Sequence, residues 1–523
     1  MATYDVIVIG SGFGGSVAAC RLAEKGMKVL VLERGRRWDP KDYPREPGDA
    51  WFYDVDAPHR KHGWIDFRIF PDMAVAQGAG VGGGSLIYAN IVVKAPKHIF
   101  TQGWPEEITF AELDPHYDEV GRMMALHELP DNQLTERFRL MKEGAEALDY
   151  GDRFHKLPLA VTFDKDYHFG LEDRFDEKHA KPFVNAQGQP QRTCIHLGNC
   201  DIGCDVKAKN TLDLNYIAQA ETHGAEVRPL HVVRTIAPHE GGYRVHFDRI
   251  AGGRIVPGQE TATRVVVAAG SLNSTELLLR CRDQYRTLPN LSPYLGKGWS
   301  SNGDFLTPAF YDDRDISPSQ GPTITSAIDF LDGSEDGQQF YIEDGGLPDI
   351  LGNLLEAKLS GRQSKKYQPV LEGLKKVVRE RDPLRPMMPW FAQGIDAADG
   401  QLHLGRKWYW PWHRTLKLDW DIDRSEAVIE AIIHMHERLS EATGGDPWVP
   451  PTWGVLKNLV TPHPLGGCNM GTTPANGVVD HRGAVFGYEG LYVLDGAIIP
   501  EAVGRNPSRT IAALSERASA LMM

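Results

Sequence analysis

Three groups of residues in this chain have the types and spacing to do chemistry. Gly10-Ser11-Gly12-Phe13-Gly14-Gly15 follows the run Tyr4 to Ile9 and matches G-x-G-x-x-G. In that pattern one glycine makes a tight turn, one lets backbone approach a pyrophosphate, and one lets a helix pack on a strand. Glu33 ends the next apolar run, at the distance where a carboxylate accepts from a ribose 2′-hydroxyl. A 2′-phosphate would be repelled there, although Arg34, Arg36 and Arg37 lie close by. The second group, Gly78-Ala79-Gly80-Val81-Gly82-Gly83-Gly84-Ser85, lets backbone lie against a flat ring or a phosphate, or forms a surface turn. In the third, Leu491 to Gly496 reads as a strand ending in Asp495-Gly496. Asn506-Pro507-Ser508-Arg509-Thr510 then opens the last helix and presents its N-terminal amides to an acceptor.

Other candidates carry less. Cys194, Cys200 and Cys204, with His196 nearby, fit neither C-x2-C nor a ferredoxin run, and three thiolates would need a fourth ligand. A loop of free thiols is the better reading, and no metal site is expected. His434 and His436 stand two apart on a predicted helix, which turns them to different faces as solvated residues. Tyr367 to Arg381 carries Val370, Leu371, Leu374, Val377 and Val378 on one stripe, with Lys375, Lys376, Arg379 and Arg381 around it. Such a helix usually packs on its own core; transient contact with a membrane surface is the alternative.

The elements that must hold these residues follow from periodicity. Tyr4 to Ile9, a glycine turn, a helix from Ser16 to Lys25 stopped by Gly26, and Lys28 to Leu32 make a βαβ unit. Trp38 to Arg68 reads as an excursion. A helix spans Thr135 to Leu148; strands return at Ala225 to Ile236, Gly242 to Phe247 and Ala262 to Ala269, followed by a helix from Ser271 to Arg280. A second unit shows a hairpin-like pair, Gln401 to Leu404 and Thr415 to Trp420, with the aromatic run Trp408, Tyr409, Trp410 and Trp412 between them. A helix from Arg424 to Ala442 follows, with Asp423 and Glu426 spaced as a capping box and Gly444 as its stop.

Composition sets the frame. With 523 residues and 41% hydrophobic content the chain supports a large core, and two domains are expected. A formal charge of -13 argues against nucleic acid as a partner. The opening MATYDVIVIG runs straight into a strand without the features of a signal peptide, and six cysteines are too few for a disulfide framework, so a cytoplasmic location is expected.

Taken together, the opening motif, Gly78 to Asn90, Val265 to Ser271, His463-Pro464-Leu465-Gly466-Gly467, Asp495-Gly496 and Asn506-Pro507 resemble the glucose-methanol-choline (GMC) oxidoreductase family, in its cholesterol oxidase-like branch. The likeness spans most of the chain in order and is dense in these segments, but faint over residues 301 to 455. It implies an α/β FAD-binding Rossmann-like domain with a second α+β substrate-binding domain built on an antiparallel sheet. The first would be assembled from 1–45, 70–100, 195–300 and 460–523, the second from 46–69, 101–194 and 301–459. FAD is the implied cofactor, held without a covalent link. Gly10, Gly12, Phe13, Gly14, Gly15, Glu33 and Arg34 would hold its ADP part, with Val233 at the adenine. Gly78, Gly82, Gly83, Gly84, Ser85 and Asn90 would lie by the flavin, Ala269, Gly270, Asp495 and Gly496 on the pyrophosphate side, and Asn506, Pro507 and Ser508 near the ring.

His463 and Asn506 match the pair that faces the substrate hydroxyl in this family. Chemistry agrees, since hydride leaves a carbinol carbon more easily as the hydroxyl proton departs, and His is the natural base near neutral pH. An amide donates to the oxygen as charge develops on it. The expected substrate is a small lipophilic alcohol, a 3-hydroxysteroid among them, bound in an apolar pocket within residues 301 to 455, argued from the aromatic run at 408 to 412 and the low polarity of Met387, Met388, Trp390 and Phe391; the electron acceptor is oxygen or another compound. Cholesterol oxidases of this type also carry a glutamate that shifts a steroid double bond. Near Asp382 to Pro386 no Glu stands in the expected place, with Glu380 the closest, so isomerisation is not expected. The rivals are a dehydrogenase of a non-steroid alcohol using another acceptor, an NAD-linked enzyme needing neither the Gly78 to Ser85 loop nor the C-terminal strand, and a non-catalytic lipid carrier, against which His463 and Asn506 argue.

Overall fold

Tyr4–Ile9 is fully apolar after Asp5 and buried from Val6 onward, so it can serve only as an interior strand. It pairs in parallel with Val29–Leu32 on one side and with the second half of Arg254–Val267 on the other. The computed structural model describes residues 2–348, 385–407, 410–449, 453 and 459–522. Its central sheet has seven strands, in the order Glu226–Arg228, Val29–Leu32, Tyr4–Ile9, Arg254–Val267, Gly242–Ala251 and His231–His239, with Leu491–Val493 also pairing in parallel with Arg254–Val267. Because Tyr4–Ile9, Val29–Leu32, Arg254–Val267 and Leu491–Val493 run the same way, their C-terminal ends meet along one edge. Gly10, Glu33, Ala269 and Asp495 are thereby gathered, which is where open α/β sheets bind ligands.

Helix Phe13–Glu24 packs against the last helix, Ser508–Leu521. The approach to the sheet is close: a Cβ on Gly14 would fall 1.7 Å from the Leu494 carbonyl oxygen.

A second sheet has six strands, all paired antiparallel: Asp446–Pro447, Phe305–Phe310, Met387–Gly394, Phe340–Asp344, Ser326–Asp329 and Phe154–Lys156. Helix Glu426–Ala442 covers one of its faces, where the Trp390 indole donates to Ser440 Oγ at 2.9 Å. Alternation then turns Phe391 to the opposite face, together with its register partner Glu343. A small sheet, in which Leu459–Thr461 runs parallel to Met73–Gly78, leads the chain into His463.

Three expectations change. The run expected as one strand over 225 to 236 divides at Pro229 and Leu230, the latter at φ 60°, and its parts, Glu226–Arg228 and His231–His239, pair at the two ends of the strand order. The capping box at Asp423 and Glu426 does not form. The helix begins at Glu426 after a short 3-10 turn, with Ser425 at the cap and its hydroxyl accepting from Ala397 N–H. His434 is exposed as expected, but His436 is fully buried, with Nδ1 2.9 Å from Thr307 Oγ1, because the helix turns that face onto the sheet. The hairpin forms as Gln401–Lys407 and Trp410–Asp419. The stripe from Tyr367 to Arg381, together with Glu380, Asp382, Trp408 and Tyr409, lies outside the described residues.

Candidate active site

A cavity of about 1000 Å3 opens along the gathered strand ends and continues beneath the second sheet. Three helices begin at its wall, after Gly12, Gly270 and Pro507, and none has a side-chain cap or an acidic residue in its first turn. Their free N–H groups and positive dipole ends suit the two phosphates of a dinucleotide. Gly12 has nothing within 4 Å of where a Cβ would stand, so the space beside it is cavity. Glu33 is buried and accepts from Ser11 N at 3.1 Å, Ser11 Oγ at 2.7 Å and Gly35 N at 2.9 Å, which fixes its carboxylate at the wall with lone pairs left for a ribose hydroxyl. Asp495 spends its oxygens on Gly270 N, Ser274 Oγ and Ala497 N, locking together the two turns that flank the cradle. These features fit FAD.

Most of the residues singled out in the sequence reach this wall: Gly10, Gly12, Phe13, Gly14, Glu33, Arg34, Gly78, Gly83, Gly84, Val233, Ala269, Gly270, Asp495, Gly496, Pro507 and Ser508, with His463 and Asn506. Gly15 stands behind it, where a Cβ would lie 2.2 Å from the Gly10 carbonyl oxygen. Gly82 turns at φ 109°, and its carbonyl accepts from Ser85 Oγ, which in turn accepts from Leu212 N. Asn90, at φ 71°, is fully buried with neither amide atom partnered by protein. Cys194, Cys200 and Cys204 are free thiols.

The end of the cavity away from the nucleotide turns is built from the second sheet and the strand-to-loop segment 459–463. His463 Nδ1 lies 2.8 Å from Asp304 Oδ1, and Asp304 is wholly buried at the start of Phe305–Phe310. With Nδ1–H donating to the carboxylate, Nε2 is left as the acceptor. Thr461 Oγ1 lies 2.5 Å from Asp304 Oδ2 and accepts from the His463 backbone N–H at 2.8 Å. Burial would lower the proton affinity of His463, but the charge and hydrogen bond of Asp304, with Glu343 nearby, outweigh it and raise the group above its ordinary value.

Asn506 Nδ2 donates to Glu343 Oε2 at 3.5 Å, and Gln393 Nε2 donates to the same oxygen at 2.9 Å. Burial pushes Glu343 up to about 8, against the opposing hydrogen bond of Gln393 and the influence of His463. Glu343 Oε1, Gln393 Oε1 and Asn506 Oδ1 are buried with no protein donor, so this corner has acceptors to spare.

Asp304, Glu343 and Gln393 were not found by reading the sequence. Glu343 did leave a trace: it follows Phe340-Tyr341-Ile342, and a charge inside so apolar a strand is an unusual thing to bury. Of the four residues expected in the apolar pocket, Phe391 lines the cavity, 6.3 Å ring to ring from His463. Met387, Met388 and Trp390 are buried core instead. Leu306, Ile324 and Leu347 join Phe391 in the wall.

The family model described as GMC oxidoreductase matches residues 4–281 with its N-terminal part and 398–515 with its C-terminal part. A cholesterol oxidase from Acinetobacter baumannii is 30% identical over 98% of this chain and 93% of its own. A long-chain-alcohol oxidase from Arabidopsis thaliana is 26% identical over 97% of this chain and 65% of its own. In structure, pyridoxine 4-oxidase from Mesorbium loti superposes with a TM-score of 0.64 at 16% identity, covering 99% of each chain, which establishes a shared fold.

Proposed function

We propose that this chain, which belongs to the GMC oxidoreductase family and is an FAD-dependent enzyme acting on CH–OH groups, oxidises a bulky apolar alcohol, a 3-hydroxysteroid first among them, to the ketone or aldehyde. The observation that carries this reading is the placement of His463 and Asn506 at the head of a cavity walled by Leu306, Ile324, Leu347 and Phe391. FAD, when bound, supplies the acceptor for the hydride that leaves the carbinol carbon. His463 Nε2 takes the hydroxyl proton, while the Asn506 amide donates to the alcohol oxygen as negative charge grows on it. Gly10, Gly12, Glu33 and the three helix starts hold the dinucleotide. An apolar ligand binds through area, at roughly 25 cal/mol per Å2 buried, and so needs few polar contacts beyond this pair.

The names of the cholesterol oxidase and the long-chain-alcohol oxidase support an apolar substrate and oxygen as the electron acceptor. The test is anaerobic reduction of the bound flavin by a panel of sterols, terpenols, aliphatic alcohols and sugars, then peroxide release in air. Reduction by sugars and by none of the apolar alcohols would overturn the assignment. Glu343 favours one further reading: beside a 5-ene 3-ketone formed at His463, the ionised fraction of its carboxyl can take a proton from C4 and return it to C6, which moves the double bond into conjugation and regenerates the carboxylate. Conjugated enone should then appear with the parent and unconjugated ketone with Glu343→Gln; conjugated product at equal rate from both would exclude Glu343.

A further inference from the structure

Two catalytic side chains arriving from different segments must be held at a fixed spacing, and in this fold one short stretch touches the supports of both. Ser300 to Asp304 reads Ser-Ser-Asn-Gly-Asp and is buried throughout. Asp396, from beyond the end of Met387–Gly394, anchors it: Ser300 Oγ donates to Asp396 at 2.7 Å, Ser301 N at 2.8 Å and Ser301 Oγ at 2.9 Å. Asn302 then stands at φ 60° and Gly303 at φ 63°, the left-handed region that Gly and Asn adopt more readily than other residues. Gly303 has no alternative, because a Cβ there would lie 2.6 Å from the Gly394 carbonyl oxygen.

The turn points two side chains at two targets. Asn302 Oδ1 accepts from Val503 N at 2.9 Å and Gly504 N at 3.1 Å, and its Nδ2 donates to the Arg505 carbonyl at 3.0 Å, which clamps the three residues immediately before Asn506. Two positions on, Asp304 takes His463 Nδ1 at 2.8 Å. We propose that the segment Ser300 to Asp304 is the positioning element of the site, with Asp304 fixing the tautomer and aim of His463 and Asn302 fixing the turn that presents Asn506. This rests on the reading of His463 as the base.

The arrangement has an electrostatic consequence. A buried carboxylate on Nδ1 stabilises the imidazolium that forms when Nε2 takes a proton, so Asp304 serves both the aim and the basicity of the ring. The other titratable group acting on the imidazole is Glu343, which raises its proton affinity less than Asp304 does.

The experiment uses the FAD-loaded enzyme with carbon-13 in its histidine rings, the His463 signal being assigned by its loss in His463→Ala. Asp304→Asn keeps an acceptor for Nδ1–H but removes the charge, and should lower the midpoint of His463 by about one pH unit or more, a tenfold loss of proton affinity. An unmoved midpoint would overturn the role of Asp304. Asn302→Gly keeps the left-handed turn and loses the clamp; it should leave that midpoint in place while speeding hydrogen exchange at the Val503 and Gly504 amides. Unchanged exchange there would overturn the role of Asn302. Flavin reduction by cholesterol, compared among the parent, Asp304→Asn, His463→Ala and the double variant, separates the two readings. Asp304→Asn should slow the parent and add nothing to His463→Ala. Equal slowing in both backgrounds overturns the positioning role, whereas a His463→Ala enzyme as fast as the parent overturns the base itself.

Discussion

Glu343 and Asn506 are in direct contact: the Asn506 amide donates to Glu343 Oε2 at 3.5 Å, inside a corner where Glu343 Oε1 meets no protein donor. A carboxyl so placed, with burial raising it to about 8, is largely protonated at neutral pH while its Oε2 still accepts from the Asn506 amide.

The raised proton affinity of Glu343 has a signature in stability. A group whose folded value lies above its unfolded one contributes stability that is complete below the unfolded value and lost as pH rises through the folded one. For Glu343 that window runs from about 4.5 to about 8. Glu343→Gln removes the titration, so its stability relative to the parent should improve by about 1.4 kcal/mol per pH unit across the window and level off above it. Denaturant midpoints of both proteins at several pH values check this, and parallel curves would show that Glu343 does not titrate in this way.

General-base assistance is typically worth about 10²- to 10⁴-fold. His463→Ala should slow anaerobic flavin reduction by that order while retaining FAD, as stopped-flow absorbance with excess alcohol would record. Because the base works unprotonated and its proton affinity is raised, the parent rate should climb with pH through a midpoint above the ordinary histidine value of about 6.5.

Two glycines of the first motif should respond differently. Gly12 faces open cavity, so Gly12→Val should fold and fail to bind FAD, its branches filling the pyrophosphate space. Gly14→Ala would set a Cβ 1.7 Å from the Leu494 carbonyl oxygen and should lower the thermal midpoint or prevent folding. Absorbance of the purified variants and their melting curves distinguish the two outcomes. The flavin of the parent should leave with the supernatant on acid denaturation; colour in the pellet would contradict noncovalent binding.

Phe391 lies in the wall with its ring 6.3 Å from that of His463, and truncation removes apolar area from the cavity. Phe391→Ala should cut kcat/KM for a sterol by about 10- to 100-fold, at roughly 25 cal/mol per Å2 lost. The loss should be much smaller for a short aliphatic alcohol.

What the sequence determined by itself is what neighbouring residues dictate to one another. The apolar run Tyr4 to Ile9, the glycine turn and the helix after it carry their geometry locally. The placement of Gly10, Gly12, Glu33, Asp495 and Asn506 at strand ends and helix starts follows from such runs. What only the tertiary structure decided depends on which strands lie side by side. Asp304 meets His463 across 159 residues of chain, and Glu343 reaches Asn506 across 163. The break at Pro229 and Leu230 sends two parts of one apolar run to opposite ends of the sheet order, and His436 is buried because its helix lies on the second sheet. Local sterics and periodicity act between residues a few positions apart, whereas strand order is fixed by the burial of the whole core. Of the two carboxylates whose place depends on such meetings, Glu343 shows along the chain only as a charge inside an apolar strand, and Asp304 shows as nothing.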